Sequence, residues 1–230
     1  MGYKINFVKF LLESNALTFG DFTLKSGRKS PYMINTGKFD TGARISKLGC
    51  FYAKAIQEKI ELGIIPEKID ILFGSAYKGI PLAVATSIAL SAAFDIEVGY
   101  CFNRKETKDH GEGGMLVGRI PKAGENILII DDVMTAGTAL RETVPVIKDE
   151  SADANIVGSV IAVDRMEKGT DKLSAVAQAQ YEMGFPVFSI VDIEEIIEAL
   201  ETIQNEKVVN LIPSEDSISS IRKYLEEYKA

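Results

Sequence analysis

The stretch Ile127-Leu-Ile-Ile-Asp131-Asp132-Val-Met-Thr135-Ala-Gly137-Thr138-Ala-Leu140 leaves this chain few folds to choose from. Four consecutive branched aliphatic residues suit a parallel strand covered on both faces, and two carboxylates directly after them cannot stay in such a core. They belong at the strand's C-terminal mouth, the edge where an open α/β sheet binds its ligands. Thr135-Ala136-Gly137-Thr138 then offers hydroxyls and successive backbone N–H groups just before a helix, an arrangement suited to phosphate. Asp131 and Asp132 would repel a bare phosphate, so the ligand must also carry hydroxyls or a cation. A phosphorylated ribose with a magnesium-bound group beyond it meets both demands.

An acidic pair after a strand also ends the Walker B segment of nucleotide triphosphatases. That assignment needs Gly-x-x-x-x-Gly-Lys-Ser/Thr, which this sequence lacks, as it lacks Gly-x-Gly-x-x-Gly. A solvated turn or helix cap is the plainer alternative for Asp-Asp alone. The attached Thr-Ala-Gly-Thr argues against it.

The rest of the chain supplies helices and strands in alternation. Apolar spacing predicts helices over residues 3–14, 41–62, 80–94, 139–149, 174–183, 193–203 and 214–228. Strands are expected at 69–74, 97–102, 127–130, 155–164 and 186–191. Alternation from about 41 to 200 specifies a central parallel sheet flanked by helices, with its site at the carboxyl edge. Residues 1–40 and the C-terminal segments would form a small hood, the whole of 1–230 being one domain.

Composition narrows the function. A net charge of −7 argues against a nucleic-acid binder, and 46% hydrophobic residues in 230 suffice for one sizeable core. Two cysteines and one histidine indicate neither a disulfide scaffold nor a zinc site. No membrane span is evident, since Gly79 to Phe94 is too short and carries Thr86, Ser87 and Ser91. The first residues lack the features of a secretion signal, so a cytoplasmic location is expected.

Against that acidic background, positive charge gathers in two places. Phe22 to Gly37 holds Lys25, Arg28 and Lys29 among glycines and a proline, with Arg28 and Lys29 expected to be solvated. Asn103 to Gly114 holds Arg104, Lys105, Lys108 and His110 beside three glycines, the pattern of a mobile lid with a cationic tip.

Five blocks, in order, resemble the orotate phosphoribosyltransferases, type I phosphoribosyltransferases: Leu24-Lys25-Ser-Gly…Ser30-Pro-Tyr32, Ala76-Tyr77-Lys78-Gly-Ile-Pro81, the 103–114 run, 127–140, and Asp164-Arg165-Met-Glu-Lys-Gly169. The resemblance implies a magnesium-dependent transfer of phosphoribosyl from 5-phosphoribosyl 1-diphosphate to orotate, giving orotidine 5'-monophosphate in pyrimidine (UMP) biosynthesis. It implies catalytic roles for Lys108, Asp131 and Asp132. It assigns the phosphoribosyl diphosphate to Lys25, Tyr77, Lys78, Arg104, Lys105, Lys108, His110 and the run Asp131, Asp132, Val133, Met134, Thr135, Ala136, Gly137, Thr138 and Ala139. Orotate would meet Lys25, Met33, Ile34, Thr135 and Arg165. Magnesium would arrive on the diphosphate, held by no protein ligand directly and touched by Asp131 and Asp132 through water. The 104–114 loop would act across a homodimer.

Two departures stand out. Met33 and Ile34 replace the aromatic residues many relatives place after Pro-Tyr, and Ser75 replaces a proline, which is expected to loosen the turn before Tyr77. The rivals are transfer to another base, and a non-catalytic sensor of phosphoribosyl ligands. Arg165 and the Lys25 segment argue against the first, and the retained lid cations against the second.

Overall fold

The computed structural model describes residues 2–24, 27–108, 114–134, 137–169, 173–206 and 214–230, with Thr107, Lys108 and Glu206 described by backbone alone. Its elements in chain order are α1 (Gly2–Glu13), β1 (Leu17–Thr23), β2 (Lys29–Ile34), α2 (Gly42–Glu61), β3 (Ile71–Gly74), α3 (Gly79–Phe94), β4 (Gly99–Lys108) and β5 (Gly114–Gly118). There follow β6 (Asn126–Ile130), α4 (Thr138–Glu150), β7 (Asn155–Asp164), α5 (Ala175–Met183), β8 (Val187–Asp192), α6 (Ile193–Glu206) and α7 (Glu215–Tyr228). A 3₁₀ turn at Thr36–Lys38 follows β2.

A six-stranded sheet has the order β5-β4-β3-β6-β7-β8, and β1 pairs with β2 in a separate antiparallel ribbon. Strands β3, β4, β6, β7 and β8 are mutually parallel. Side-chain alternation splits the sheet's apolar residues between its two faces. Leu72, Leu128, Ile130 and Val160 join one core with residues of α1, α2, α3, α6 and α7. Ile71, Phe73, Ile127, Ile129 and Ile161 join the other with Leu140, Ile147, Val176 and Ala179 of α4 and α5. Continuous aliphatic runs are what a strand buried on both faces requires.

The sheet is not wholly parallel as expected. β5 lies antiparallel to β4 at the edge, Phe102 opposite Val117. A hairpin needs no crossover helix, and Met115-Leu-Val117 is too short an apolar run to stand out in the sequence. The expected loop from 103 is strand as far as Lys108, so Arg104 and Lys105 sit on β4. An edge ribbon that outruns the core can be polar, which hides it from a hydrophobic pattern.

The order of chain entry matters most for the site. After β3 the chain moves outward to β4 and β5, then returns to place β6 on β3's other side. The carboxyl ends of β3 and β6 therefore flank a switch point, and Gly74 pairs in register with Ile130.

The terminal segments pack onto this core. Phe10 of α1 stacks on Phe39 and on Phe51 of α2, centroids 5.0 and 5.6 Å apart. Tyr224 of α7 stands edge-on to Tyr32 of β2 at 6.0 Å. Beyond α7, the N–H of Ala230 donates to Met166 O (3.0 Å) and that of Lys168 to Tyr228 O (2.8 Å), so the C-terminus is laced to the loop after β7.

Candidate active site

β3 ends in a turn that only glycine permits at two places. A Cβ on Gly74 would lie 2.2 Å from the Gly79 carbonyl oxygen, and one on Gly79 would lie 2.8 Å from the Ile130 oxygen. This close approach draws the 75–79 turn against the end of β6. Ser75 does not loosen it: its buried hydroxyl pairs with that of Thr143 in α4 at 2.9 Å, tying the turn down by a side-chain bond that proline could not make. Asn103 of β4 accepts from the Ala76 N–H at 3.1 Å, fixing the hairpin's base to the same turn.

The turn delivers Lys78 to Asp132, Nζ to Oδ2 at 2.6 Å. Thr36, just past β2, donates to the same oxygen at 2.7 Å. Burial works to raise the Asp132 carboxyl, but the Lys78 ammonium and the Thr36 hydroxyl outweigh it and hold the group below the usual carboxylate range. No lysine or hydroxyl among the described residues bonds the Asp131 side chain, although the Lys78 charge reaches it. Burial, with the Asp132 charge adding to it, pushes its carboxyl up to about 6 although the Asp132 N–H donates to it at 2.9 Å. The pair is thus one fixed anion beside one poised near neutrality. Tyr52 of α2 braces the pair by donating to the Asp131 carbonyl at 2.8 Å.

Past the acids, Val133 bridges Val163 and the Ala162 N–H donates to Asp132 O at 2.7 Å. Gly137, at φ 70°, is the residue before α4, whose first N–H groups have no intrahelical partner. Val133, Met134, Gly137, Thr138 and Ala139 line a small pocket that also reaches Asp131. The N-terminal end of α4 faces it, a favourable place for an anion. Lys25, His110, Thr135, Ala136 and the side chain of Lys108 lie outside the described residues.

Of the remaining expected residues, Tyr77 is 70% exposed at the mouth and Lys105 lies over its ring at 5.9 Å. Arg104 donates to Gly114 O at 3.1 Å across the hairpin. Met33 and Ile34 are neighbours on one strand, so their side chains point to opposite faces, and Ile34 packs against the main core. A flat ring at this strand would meet one of them by its side chain and the other by its backbone.

Arg165, after β7, meets Ser30 of β2 (3.1 Å) and stacks 4.1 Å over Tyr32. Its main partner is Glu167, whose Oε1 accepts from Nε at 2.8 Å. Arg28 is not the solvated cation expected. It reaches the other Glu167 oxygen at 3.1 Å and lies 4.6 Å over Tyr228. The segment 30–36 thus touches Arg165 at one end and Asp132 at the other, spanning at most about 20 Å.

Sequence reasoning missed Thr36, Tyr52, Asn103, Glu167 and Ser30. Four of these act through contacts distant in the chain, which no local spacing reveals. Ser30, Asn103 and Glu167 stood in blocks already singled out, and Glu167 carried the clearest local signal, an acid two residues beyond an arginine.

Comparison with known proteins accords with this geometry. Residues 48–189 match the phosphoribosyl transferase domain. An orotate phosphoribosyltransferase of Bifidobacterium adolescentis is 53% identical over 97% of this chain and 96% of its own length. One of Clostridium beijerinckii is 46% identical over 99% of this chain and 98% of its own. The crystal structure of the Francisella tularensis orotate phosphoribosyltransferase superposes with a TM-score of 0.79 at 38% identity, covering 98% of this chain and 100% of the other. The chain belongs to the phosphoribosyl transferase family and, within it, to the orotate phosphoribosyltransferases.

Proposed function

We propose that the protein transfers the phosphoribosyl group of 5-phosphoribosyl 1-diphosphate to a ring nitrogen of orotate, releasing diphosphate and orotidine 5'-monophosphate for UMP synthesis. The observation that carries this reading is Asp132, held at the switch point between Lys78 and the segment that leads to Arg165. A ligand there has carboxylates under its middle, a cation at one side and a guanidinium beyond.

As the bond from the anomeric carbon to diphosphate breaks, positive charge grows on the sugar and negative charge on the leaving group. Asp131 and Asp132 accept hydrogen bonds from the ribose hydroxyls and oppose the sugar's charge. The N–H groups at 137–139, with Val133, Met134, Thr135 and Ala136, cradle the 5-phosphate. Lys25, Lys78, Arg104, Lys105, Lys108 and His110 attract the diphosphate, and Tyr77 shields its approach. Arg165 takes the orotate carboxylate as an ionic hydrogen-bonded pair, with Lys25, Met33, Ile34 and Thr135 around the ring.

The donor set fits a magnesium ion that travels with the diphosphate: two adjacent carboxylates, and among the described residues no gathering of three acid, histidine or cysteine ligands. When bound, the ion would neutralise the leaving group, with Asp131 and Asp132 contacting it through water.

The chain works as one domain of residues 1–230, with residues 1–40 and the C-terminal segments as a hood over the 41–200 core. It works as a homodimer in the cytoplasm. Two free cysteines suit that compartment, and no described helix is long and apolar enough to cross a membrane. The exposed residues Ile88 of α3 and Tyr100 of β4 support a self-association face there. From there the 104–114 hairpin reaches the neighbouring site. Mixing Lys108→Ala with an Asp131→Asn, Asp132→Asn double variant should then restore roughly a quarter of the activity, through mixed dimers with one intact site. No restoration, with mixed dimers present, would place the hairpin over its own subunit's site.

The activity itself is tested by adding magnesium, phosphoribosyl diphosphate and orotate and following the fall in orotate absorbance, with uracil, adenine and guanine in parallel. Turnover of orotate alone is expected. Turnover of another base instead would reassign the substrate, and binding without turnover would make the protein a sensor.

A further inference from the structure

The base end of the site contains a group that the mechanism leaves unused. Glu167 lies between two guanidinium groups, Oε1 within 2.6 Å of Arg165 Nη2 and Oε2 within 3.1 Å of Arg28 Nη1. The three side chains are 12, 11 and 20% exposed, so two cations and one anion share a poorly hydrated space with one positive charge uncompensated. The complement is a single carboxylate. A neutral ring would leave the charge unpaired, and a dianion would overshoot it.

Arg165 cannot hold that carboxylate with its full fork. Its Nε and Nη2 are engaged by Glu167 and Ser30, and one face of the guanidinium lies on Tyr32. A carboxylate has two oxygens to satisfy, so a second donor is needed beside the free edge of Arg165.

Tyr224 has the means to be that donor. Its side chain is 7% exposed, and its hydroxyl lies close to Glu167 and Arg165 without making a hydrogen bond of normal geometry to any described residue. The neighbouring Tyr32 hydroxyl, by contrast, is spent on Glu167 at 3.3 Å. A buried hydroxyl without a partner is costly, and such groups concentrate where a ligand completes them. Burial, reinforced by the charge and close approach of Glu167 and only partly offset by Arg165, keeps the Tyr224 phenol above its ordinary pKa, so it remains a donor. Its position is fixed by the bonds that lace residues 228–230 to residues 166–168, next to Arg165.

We propose that Tyr224 is a further orotate-binding residue, its hydroxyl donating one hydrogen bond to the base carboxylate whose other oxygen is held by Arg165. This rests on the function proposed above. It makes the C-terminal helix part of the specificity pocket.

Tyr224→Phe removes one oxygen and nothing else. The KM for orotate should rise about tenfold, the worth of a hydrogen bond to a charged group, while the KM for phosphoribosyl diphosphate stays at the parent value. The melting temperature should hold or rise, because the deleted hydroxyl made no hydrogen bond of normal geometry. An unchanged orotate KM overturns the inference. So does a parallel rise in both KM values, which would mean a general disturbance of the site, and so does a lowered melting temperature, which would mean a structural partner. A parent protein that leaves orotate unconsumed defeats the proposed function itself, and that result is read before the variant's.

Discussion

Asp131→Asn should make the protein more stable at neutral pH while removing its activity. The Asp131 carboxyl is moved from 3.8 to about 6, chiefly by burial. At about 1.4 kcal/mol per pH unit, this sets an upper bound of roughly 3 kcal/mol on the cost of holding it ionised in the folded state. A carboxyl whose folded value lies above its unfolded one disfavours folding once it ionises. Below pH 4 it is neutral in both states and contributes nothing. Between about 4 and 6 the unfolded chain ionises first and stability falls, and above 6 the full cost is present. Asparagine keeps the oxygen that accepts the Asp132 N–H, and Tyr52 bonds only the backbone carbonyl, so neither contact is lost. With some of the cost relieved by solvent, a gain of about 1–3 kcal/mol is expected, which for a chain of this size raises the melting temperature by roughly 3–10 °C. Melting curves of parent and variant from pH 4 to 8 should separate through pH 5–6 and then run parallel. The parent's kcat/KM for phosphoribosyl diphosphate should rise through the same interval, since only the ionised acid accepts two hydroxyls. A separation independent of pH, or a variant less stable at pH 8, would refute the reasoning.

Three other perturbations have definite signs. Gly74→Ala forces a methyl group to 2.2 Å from the Gly79 carbonyl oxygen, and should cost roughly 3 kcal/mol or more in urea unfolding; a loss under about 1 kcal/mol would mean the turn can yield. Ser75→Ala strands the buried Thr143 hydroxyl and should cost about 1–3 kcal/mol, whereas adding Thr143→Val should cost little more; strict additivity would contradict the pairing. Lys108→Ala should lower kcat by about 10²-fold and change the substrate KM values far less, as for a cation aimed at charge that develops in the transition state; equal turnover in variant and parent would remove it from the reaction.

The sheet's parallel core was legible because Ile127–Ile130 and Val160–Val163 are apolar without interruption, a pattern that double-sided burial explains. The switch point followed, since acids after one strand and Lys78 after another must meet if the strands are neighbours. What stayed hidden was whatever depends on distant pairing or on an edge. Thr36 and Asp132 are 96 residues apart, and nothing local in Asn35-Thr-Gly37 foretells their bond. β5 escaped because an edge hairpin has no buried face along most of its length. The local sequence suggests a solvated Arg28 because its partners, Glu167 and Tyr228, come from the other end of the chain. Ser75 in place of a proline suggests a looser turn, but its hydroxyl pairs with Thr143 of α4, 68 residues away, which the local sequence does not show.

A crystal structure with orotidine 5'-monophosphate bound tests the account most directly, because that one molecule carries all three recognised groups. The ribose hydroxyls should lie on Asp131 and Asp132, the phosphate at the N–H groups of 137–139, and the base carboxylate at Arg165. A nucleotide lying with its carboxylate away from Arg165, or with its sugar away from the two aspartates, would contradict it.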